Sequence, residues 1–174
     1  MEFRIATIED AEKLALFGSE TFWQAYRSES ALEAKYIRAY MSTAFSVRQI
    51  THELGRESLK FILGTQNEST IGYAKLNFDG FHESLHGEKP MEIERIYLAR
   101  SYWGKELGAD LLAECLRLAE EAGCDCVWLG VWQRNERAIR FYKKHGFEIV
   151  GTVEFDLASS IQQDHVMEFM LPGK

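Results

Sequence analysis

Two stretches of this chain hold residues whose types and spacing suit chemistry. The first is Ser101-Tyr102-Trp103-Gly104-Lys105-Glu106-Leu107-Gly108, a turn that runs into an amphipathic helix. Unpaired backbone N–H groups and the positive end of the helix dipole meet at such a start. That arrangement binds phosphate or pyrophosphate. Gly104 and Gly108 let the backbone approach a ligand closely, and Lys105 adds charge. Two glycines alone also fit an ordinary turn before a helix. The second stretch is Met91-Glu92-Ile93-Glu94-Arg95-Ile96-Tyr97-Leu98. Glu92 and Glu94 share parity with Ile96 and Leu98, so strict strand alternation fails. One extra residue near Arg95 or Ile96, a β-bulge, puts the glutamates and the aliphatics on opposite faces and frees backbone groups for a ligand.

The elements around these stretches follow from periodicity. Leu107, Leu111, Cys115, Leu118, Ala119 and Ala122 line one side of a helix that Gly123 ends. Cys126 to Trp132 is almost wholly apolar, as in a strand covered on both faces. Strand, turn, helix and buried strand from Met91 to Trp132 make a βαβ crossover between parallel strands, and ligands of such units sit beyond the carboxyl ends of the strands. Upstream, Phe3 to Ala6 reads as a strand. Thr7 caps a helix from about Ile8, Leu32 to Phe45 is a second helix, and Ser46 caps a third that ends at Gly55. Phe61 to Leu63 and Ile71 to Phe78 read as an antiparallel pair around a turn at Gln66-Asn67-Glu68. Downstream, Asn135 caps a short helix that stops at Gly146, and strands follow at Phe147 to Val153 and His165 to Leu171. The class is mixed α/β in one domain, residues 1–174.

Composition narrows the function. The chain has 174 residues and a net charge of −7, which disfavours a generally basic nucleic-acid surface and suits a cationic substrate. The same charge also serves plain solubility. No stretch approaches the ~20 apolar residues that span a bilayer, and the start Met1-Glu2-Phe3-Arg4 lacks the pattern of a secretory signal. The expectation is a cytoplasmic protein without membrane or nucleic-acid partners. Cys115, Cys124 and Cys126 are odd in number and without a second ligand pair, so neither a disulfide framework nor a metal site is expected.

Several segments together resemble the GNAT family of N-acetyltransferases. They are Glu94-Arg95-Ile96-Tyr97-Leu98, the turn ending Leu107-Gly108, Trp128-Leu129-Gly130-Val131, and Asn135 to Phe147 with its Asn-x-x-Ala-x-x-Phe-Tyr-x-x-x-Gly-Phe spacing. The resemblance runs from about residue 60 to the C-terminus. Glu20-Thr21-Phe22 and Tyr40 to Phe45 are more loosely similar to bacterial polyamine N-acetyltransferases. The resemblance implies the GNAT fold: a mixed, mostly antiparallel sheet with a central splayed parallel strand pair, N-terminal helices and flanking helices. It implies acetyl-CoA as cosubstrate and no metal. The pantetheine arm would pair with backbone at Ile96, Tyr97 and Leu98, as an added strand would. The pyrophosphate would sit on Trp103, Gly104, Lys105, Glu106, Leu107, Gly108 and Ala109. Asn135 would cap its helix or bond the cofactor, and Lys144, with Lys143, would meet the phosphates. The family pattern at the turn is Gln/Arg-x-x-Gly-x-Gly/Ala, of which only Gly108 is kept. Glu106 sets a carboxylate near two phosphates, unfavourable unless it turns to solvent or meets Lys105.

The implied reaction is direct attack of an amine on the thioester in a ternary complex. An amine with a pKa near 10.4 is neutral about once in 2,500 molecules at pH 7, so it must lose a proton. Glu94 is the first candidate base, directly or through water, and Glu92 the second. Paired with Arg95, Glu94 is instead an ordinary strand residue. Tyr142 stands where the family places the acid that protonates the leaving thiolate; its spacing with Ala138 and Ile139 also fits packing. Phe22, Trp23, Tyr26, Tyr97, Trp128 and Trp132 read as core, with some available to line an acceptor tunnel. Glu20, Asp79, Glu92 and Glu94 are the acids available for a polycation. The expected acceptor is a small-molecule primary amine, a polyamine first. Peptide or protein N-acetylation is the alternative within the class, and a non-catalytic CoA-binding sensor is the alternative outside it. The C-terminal strands offer an edge through which a homodimer can form.

Overall fold

The computed structural model describes residues 1–29 and 32–172. In chain order the elements are β1 (Glu2–Ile5), α1 (Ala11–Tyr26), α2 (Ala34–Ala44), α3 (Val47–Leu54), β2 (Leu59–Gln66), β3 (Ser69–Asn77), β4 (Pro90–Leu98), α4 (Leu107–Glu121), β5 (Cys126–Trp132), α5 (Glu136–Lys144), β6 (Glu148–Leu157) and β7 (Ser160–Met170). Short 3-10 turns precede α1 at Ile8–Asp10 and α4 at Arg100–Tyr102. The strands form one sheet in the order β1-β2-β3-β4-β5-β7-β6. The central pair, β4 with β5, is parallel, and the other neighbouring pairs are antiparallel. This is the mixed α/β GNAT architecture that the sequence resemblance implies.

The parallel pair is joined at one end only. Pro90 faces Cys126, Met91 faces Val127 and Glu92 faces Trp128; beyond those rungs the strands part. β4 runs on to Leu98 and β5 to Trp132 without a shared ladder, which opens a wedge at their carboxyl ends.

Each face of the sheet is covered by apolar side chains in strand alternation. On one face α4 buries Leu111, Leu112, Cys115 and Ala119 against Met91, Ile93, Val127 and Leu129. On the other, α1, α2 and α3 bury Leu14, Phe22, Ile37 and Ile50 against Phe61, Leu63 and Tyr73. Full burial of one such side chain is worth roughly 1.5–3 kcal/mol, so these two clusters fix where the helices lie. The Ser46 and Asn135 caps expected from sequence are in place, while the helix expected from about Ile8 starts as a 3-10 turn and becomes α-helical at Ala11. Ser46 Oγ accepts from Gln49 N–H at 3.2 Å, and Asn135 Oδ1 accepts from Ala138 N–H at 3.2 Å. At the first helix the Asp10 carboxylate reaches back to the Thr7 N–H at 2.9 Å while Arg4 donates to its two oxygens.

The strand boundaries need correction at the C-terminal end. The expected strands at Phe147 to Val153 and His165 to Leu171 are the inner halves of a long hairpin, β6 and β7, closed by Ala158-Ser159. Both turn residues have positive φ, 51° and 74°, a conformation usually given to Gly or Asn.

Candidate active site

The bulge inferred from parity is present, one residue before the expected position. Lys75 of β3 pairs with Arg95, but the next residue, Leu76, pairs with Ile93, so Glu94 is the extra residue. Before the bulge Met91 and Ile93 pack toward α4, and after it Ile96 and Leu98 pack on that same side. Glu92, Glu94, Arg95 and Tyr97 are turned to the face that carries α1–α3.

There the carboxylates meet a network that sequence reading missed. Asn77 Nδ2 donates to Glu94 Oε1 at 2.9 Å, and Lys75 Nζ forms an ion pair with Glu94 Oε2. The same ammonium lies 2.9 Å from Glu53 Oε1, supplied by α3. Gln49 Nε2 also donates to Glu53 at 2.9 Å, and Arg95 stands 3.6 Å from its other oxygen. Glu94 is therefore committed to protein partners. Glu92 is not: among the described residues its one hydrogen bond, from Asn77 Nδ2, is long at 3.5 Å. Burial, then the neighbouring Glu94 charge, push the Glu92 carboxyl from 4.5 up to about 7. Gly80 lies hard against it, since a Cβ there would be 2.5 Å from Glu92 Oε2. Trp128 Nε1 holds the Gly80 carbonyl at 3.1 Å and so fixes that loop.

Glu92 and Glu94 open into the wedge, a cleft of about 950 Å³ that also takes in Ile96, Tyr97, Leu98, Asn135, Tyr142 and Lys144. The turn residues Trp103, Gly104, Lys105, Glu106, Gly108 and Ala109 form its other wall. Leu107 begins α4 beside them. Ala109 and Asp110 N–H donate to the Glu106 carbonyl at 2.9 and 3.2 Å, and the Leu107 and Gly108 amides before them are the orphan donors of the first turn. Gly104 has φ +75°, which lets the chain turn into the helix without side-chain strain. Glu106 is exposed. Lys105 lies over the Tyr102 ring, 4.8 Å from its centroid.

Trp103 takes an unforeseen part. Its indole donates to the Leu98 carbonyl at 2.9 Å, and the Arg137 guanidinium stacks on the ring at 3.7 Å. Part of the β4 edge expected to pair with pantetheine is thus held by the chain's own side chain.

Tyr142 is buried on α5 against Phe147 at 5.6 Å, and its ring lines the cleft. Burial pushes its hydroxyl well above the usual phenol range, so it keeps its proton at neutral pH. Part of the cleft is aromatic. Phe22, Tyr26, Tyr40, Tyr97, Trp132 and Phe155 line it, with Phe22 5.1 Å from Tyr40 and Tyr26 6.3 Å from Trp132. Trp23 does not line it, and Glu20 and Asp79 are exposed elsewhere. Asp164 of β7 lies in the cleft wall beside Gly130.

Known proteins resemble this chain in sequence and in fold. The profile of the Acetyltransferase (GNAT) family matches residues 19–147. An uncharacterized N-acetyltransferase of Mycobacterium tuberculosis is 34% identical over 162 residues, covering 91% of this chain and 96% of that protein. A spermine/spermidine N(1)-acetyltransferase of Bacillus subtilis is 32% identical over 87 residues, 49% of this chain and 57% of that protein. The PaiA N-acetyltransferase from Thermoplasma acidophilum, solved in complex with coenzyme A, has a TM-score of 0.78 at 24% identity, covering 98% of this chain and 100% of that one. The family profile spans the bulged strand, the turn before α4, and α5 itself, as far as Phe147, and the mycobacterial relative aligns over nearly the full length. On that footing the chain belongs to the GNAT family of acetyltransferases.

Proposed function

We propose that this acetyltransferase moves an acetyl group from acetyl-CoA to a primary amine of a polyamine, by direct attack within a ternary complex. The observation that carries the reading is one cleft between splayed parallel strands that is lined by both Glu92, from β4, and Tyr142, from α5. Acetyl-CoA supplies the activated thioester. The residues present fit it: the free Leu107 and Gly108 amides at the start of α4 would be available to its diphosphate, Lys144 and Arg137 would add positive charge, and the exposed Glu106 carboxylate is free to stay in solvent. Asn135 spends its oxygen on the helix cap and keeps its amide N–H groups for the cofactor.

Glu92 takes precedence over Glu94 as base. A carboxyl poised at about 7 is ionised in a useful fraction of molecules at neutral pH and is basic enough to accept a proton from an ammonium, directly or through water. Lys75 and Asn77 hold Glu94 in place, and its charge helps to raise Glu92. Tyr142 holds a proton that the departing sulfur can take. The acidic chain, the paired glutamates at the cleft and the partial likeness to a spermine/spermidine acetyltransferase support a cationic acceptor.

The test is thiol release from acetyl-CoA with spermidine and with a panel of peptides. Spermidine is expected to be the better acceptor. Turnover with peptides alone would overturn the polyamine assignment, and tight acetyl-CoA binding without turnover on either would favour a sensor.

A further inference from the structure

The acetyl-transfer chemistry above leaves unused a half-buried carboxylate with one fully buried, unpartnered oxygen among the described residues, Asp164. Asp164 on β7 pairs across the ladder with Trp132 of β5 and with Val153 of β6. Its Oδ2 lies over Gly130, where a Cβ would approach it to 3.4 Å. Its Oδ1 is out of contact with solvent and has no hydrogen-bond partner among the described residues. Tyr26 and Trp132, packed edge to face, stand beside it in the cleft.

We infer that Asp164 determines acceptor specificity by anchoring a second ammonium group of the amine, remote from the one that is acetylated. This rests on the amine-acetylating reading above. Register places the two carboxylates for the task. Glu92 faces Trp128, and Trp132, four residues on, faces Asp164, so parity keeps Glu92 and Asp164 on one face of the sheet with β5 between them. Their backbone positions are on the order of 15 Å apart, from four residues of rise and two strand spacings. A short monoamine reaches one of them; an extended diamine or polyamine reaches both.

The surroundings of Asp164 call for a cation. An ionised carboxylate removed from water is costly unless it is paired. Burial alone pushes this carboxyl up to about 6, with no cation among the described residues offsetting it. An ammonium entering the cleft supplies the missing partner, and the faces of Tyr26 and Trp132 offer it further attraction. Carboxylate torsion about χ2 is soft, so the buried oxygen can turn toward the ligand. Gly130 on the neighbouring strand leaves this carboxylate open to the cleft: a Cβ there would only touch Oδ2, at 3.4 Å, but a longer side chain would lie over it.

The experiment compares spermidine with hexylamine on the full chain, by thiol release and by calorimetric binding. The wild type is expected to prefer spermidine, mainly through KM. Asp164→Asn is expected to lower kcat/KM for spermidine roughly 10- to 100-fold, as loss of a charge-assisted hydrogen bond implies, while hexylamine changes less than about twofold. Equal losses on both amines, or none on spermidine, would overturn the inference. If Asp164→Asn does not fold, equal kcat/KM for the two amines in the wild type overturns it. If no amine releases thiol, the acetyl-transfer reading fails separately, and calorimetric binding of spermidine to wild type and variant still decides the anchor.

Discussion

Replacing Glu92 by Gln separates catalysis from stability in one variant. The carboxyl is raised from 4.5 to about 7 in the fold, by burial first and by Glu94 second. A raised carboxyl makes its most favourable contribution to folding below its unfolded value, near pH 4.5, and loses it as pH climbs through about 7. At pH 8 the ionised side chain therefore works against the fold. At 1.36 kcal/mol for each tenfold difference in proton affinity, the cost is about 3 kcal/mol at most, and roughly 1–3 kcal/mol after allowance for residual solvent contact. Glu92→Gln is then expected to be more stable than the wild type at pH 8 by roughly 1–3 kcal/mol, and the gain should vanish near pH 4.5. The same variant should lose about 10²–10⁴ in turnover, the usual weight of a positioned base. It should also lose the ascending limb of the pH–rate profile, centred near 7 in the wild type. Thermal melts at the two pH values and a pH–rate series read all three. A limb that survives in Glu92→Gln, or a variant less stable at pH 8 than at pH 4.5 relative to wild type, refutes the reasoning.

The other expectations follow from neighbouring contacts. Tyr142→Phe should lower turnover by roughly 10²-fold or more while acetyl-CoA affinity by calorimetry is unchanged; unaltered turnover removes the acid role. Lys75→Met should destabilise the protein by about 3–5 kcal/mol in denaturant melts, because Glu53 and Glu94 lose the ammonium they share in a buried site. Glu106→Gln should change CoA affinity by less than about twofold, since an exposed charge beside phosphates is screened by solvent; a large gain would mean that its carboxylate faces the diphosphate.

The sequence was most legible where a local pattern carries the information. α4 and β5 were readable because apolar spacing and Gly123 mark them without reference to anything distant. The bulge was readable because Glu92, Glu94, Ile96 and Leu98 cannot share one face. Its position was one residue off, because parity says that a residue is extra but not which one. The β6–β7 hairpin was underestimated because Ala158-Ser159 adopts a left-handed turn without the residues that usually announce it. Glu53, Asn77 and Asp164 carry no local signal at all. The positions of Glu53 and Asn77 behind the cleft glutamates, and of Asp164 in the cleft wall, depend on α3 packing on β2 and on β7 lying between β5 and β6, which is a matter of tertiary order rather than spacing. Lys75 did leave a trace: it is the single charge in the apolar run from Ile71 to Leu76, and a buried lysine needs buried acids.

The three rungs between β4 and β5 also have a mechanical meaning. Four strands on one side and three on the other are clasped by a ladder that ends at Glu92 and Trp128. A cosubstrate lying along the open edges would bridge both halves and act as a splint. Saturation at a hundred times Kd should stiffen the assembly by about 2.7 kcal/mol, with amide exchange slowed most at the free ends of these two strands.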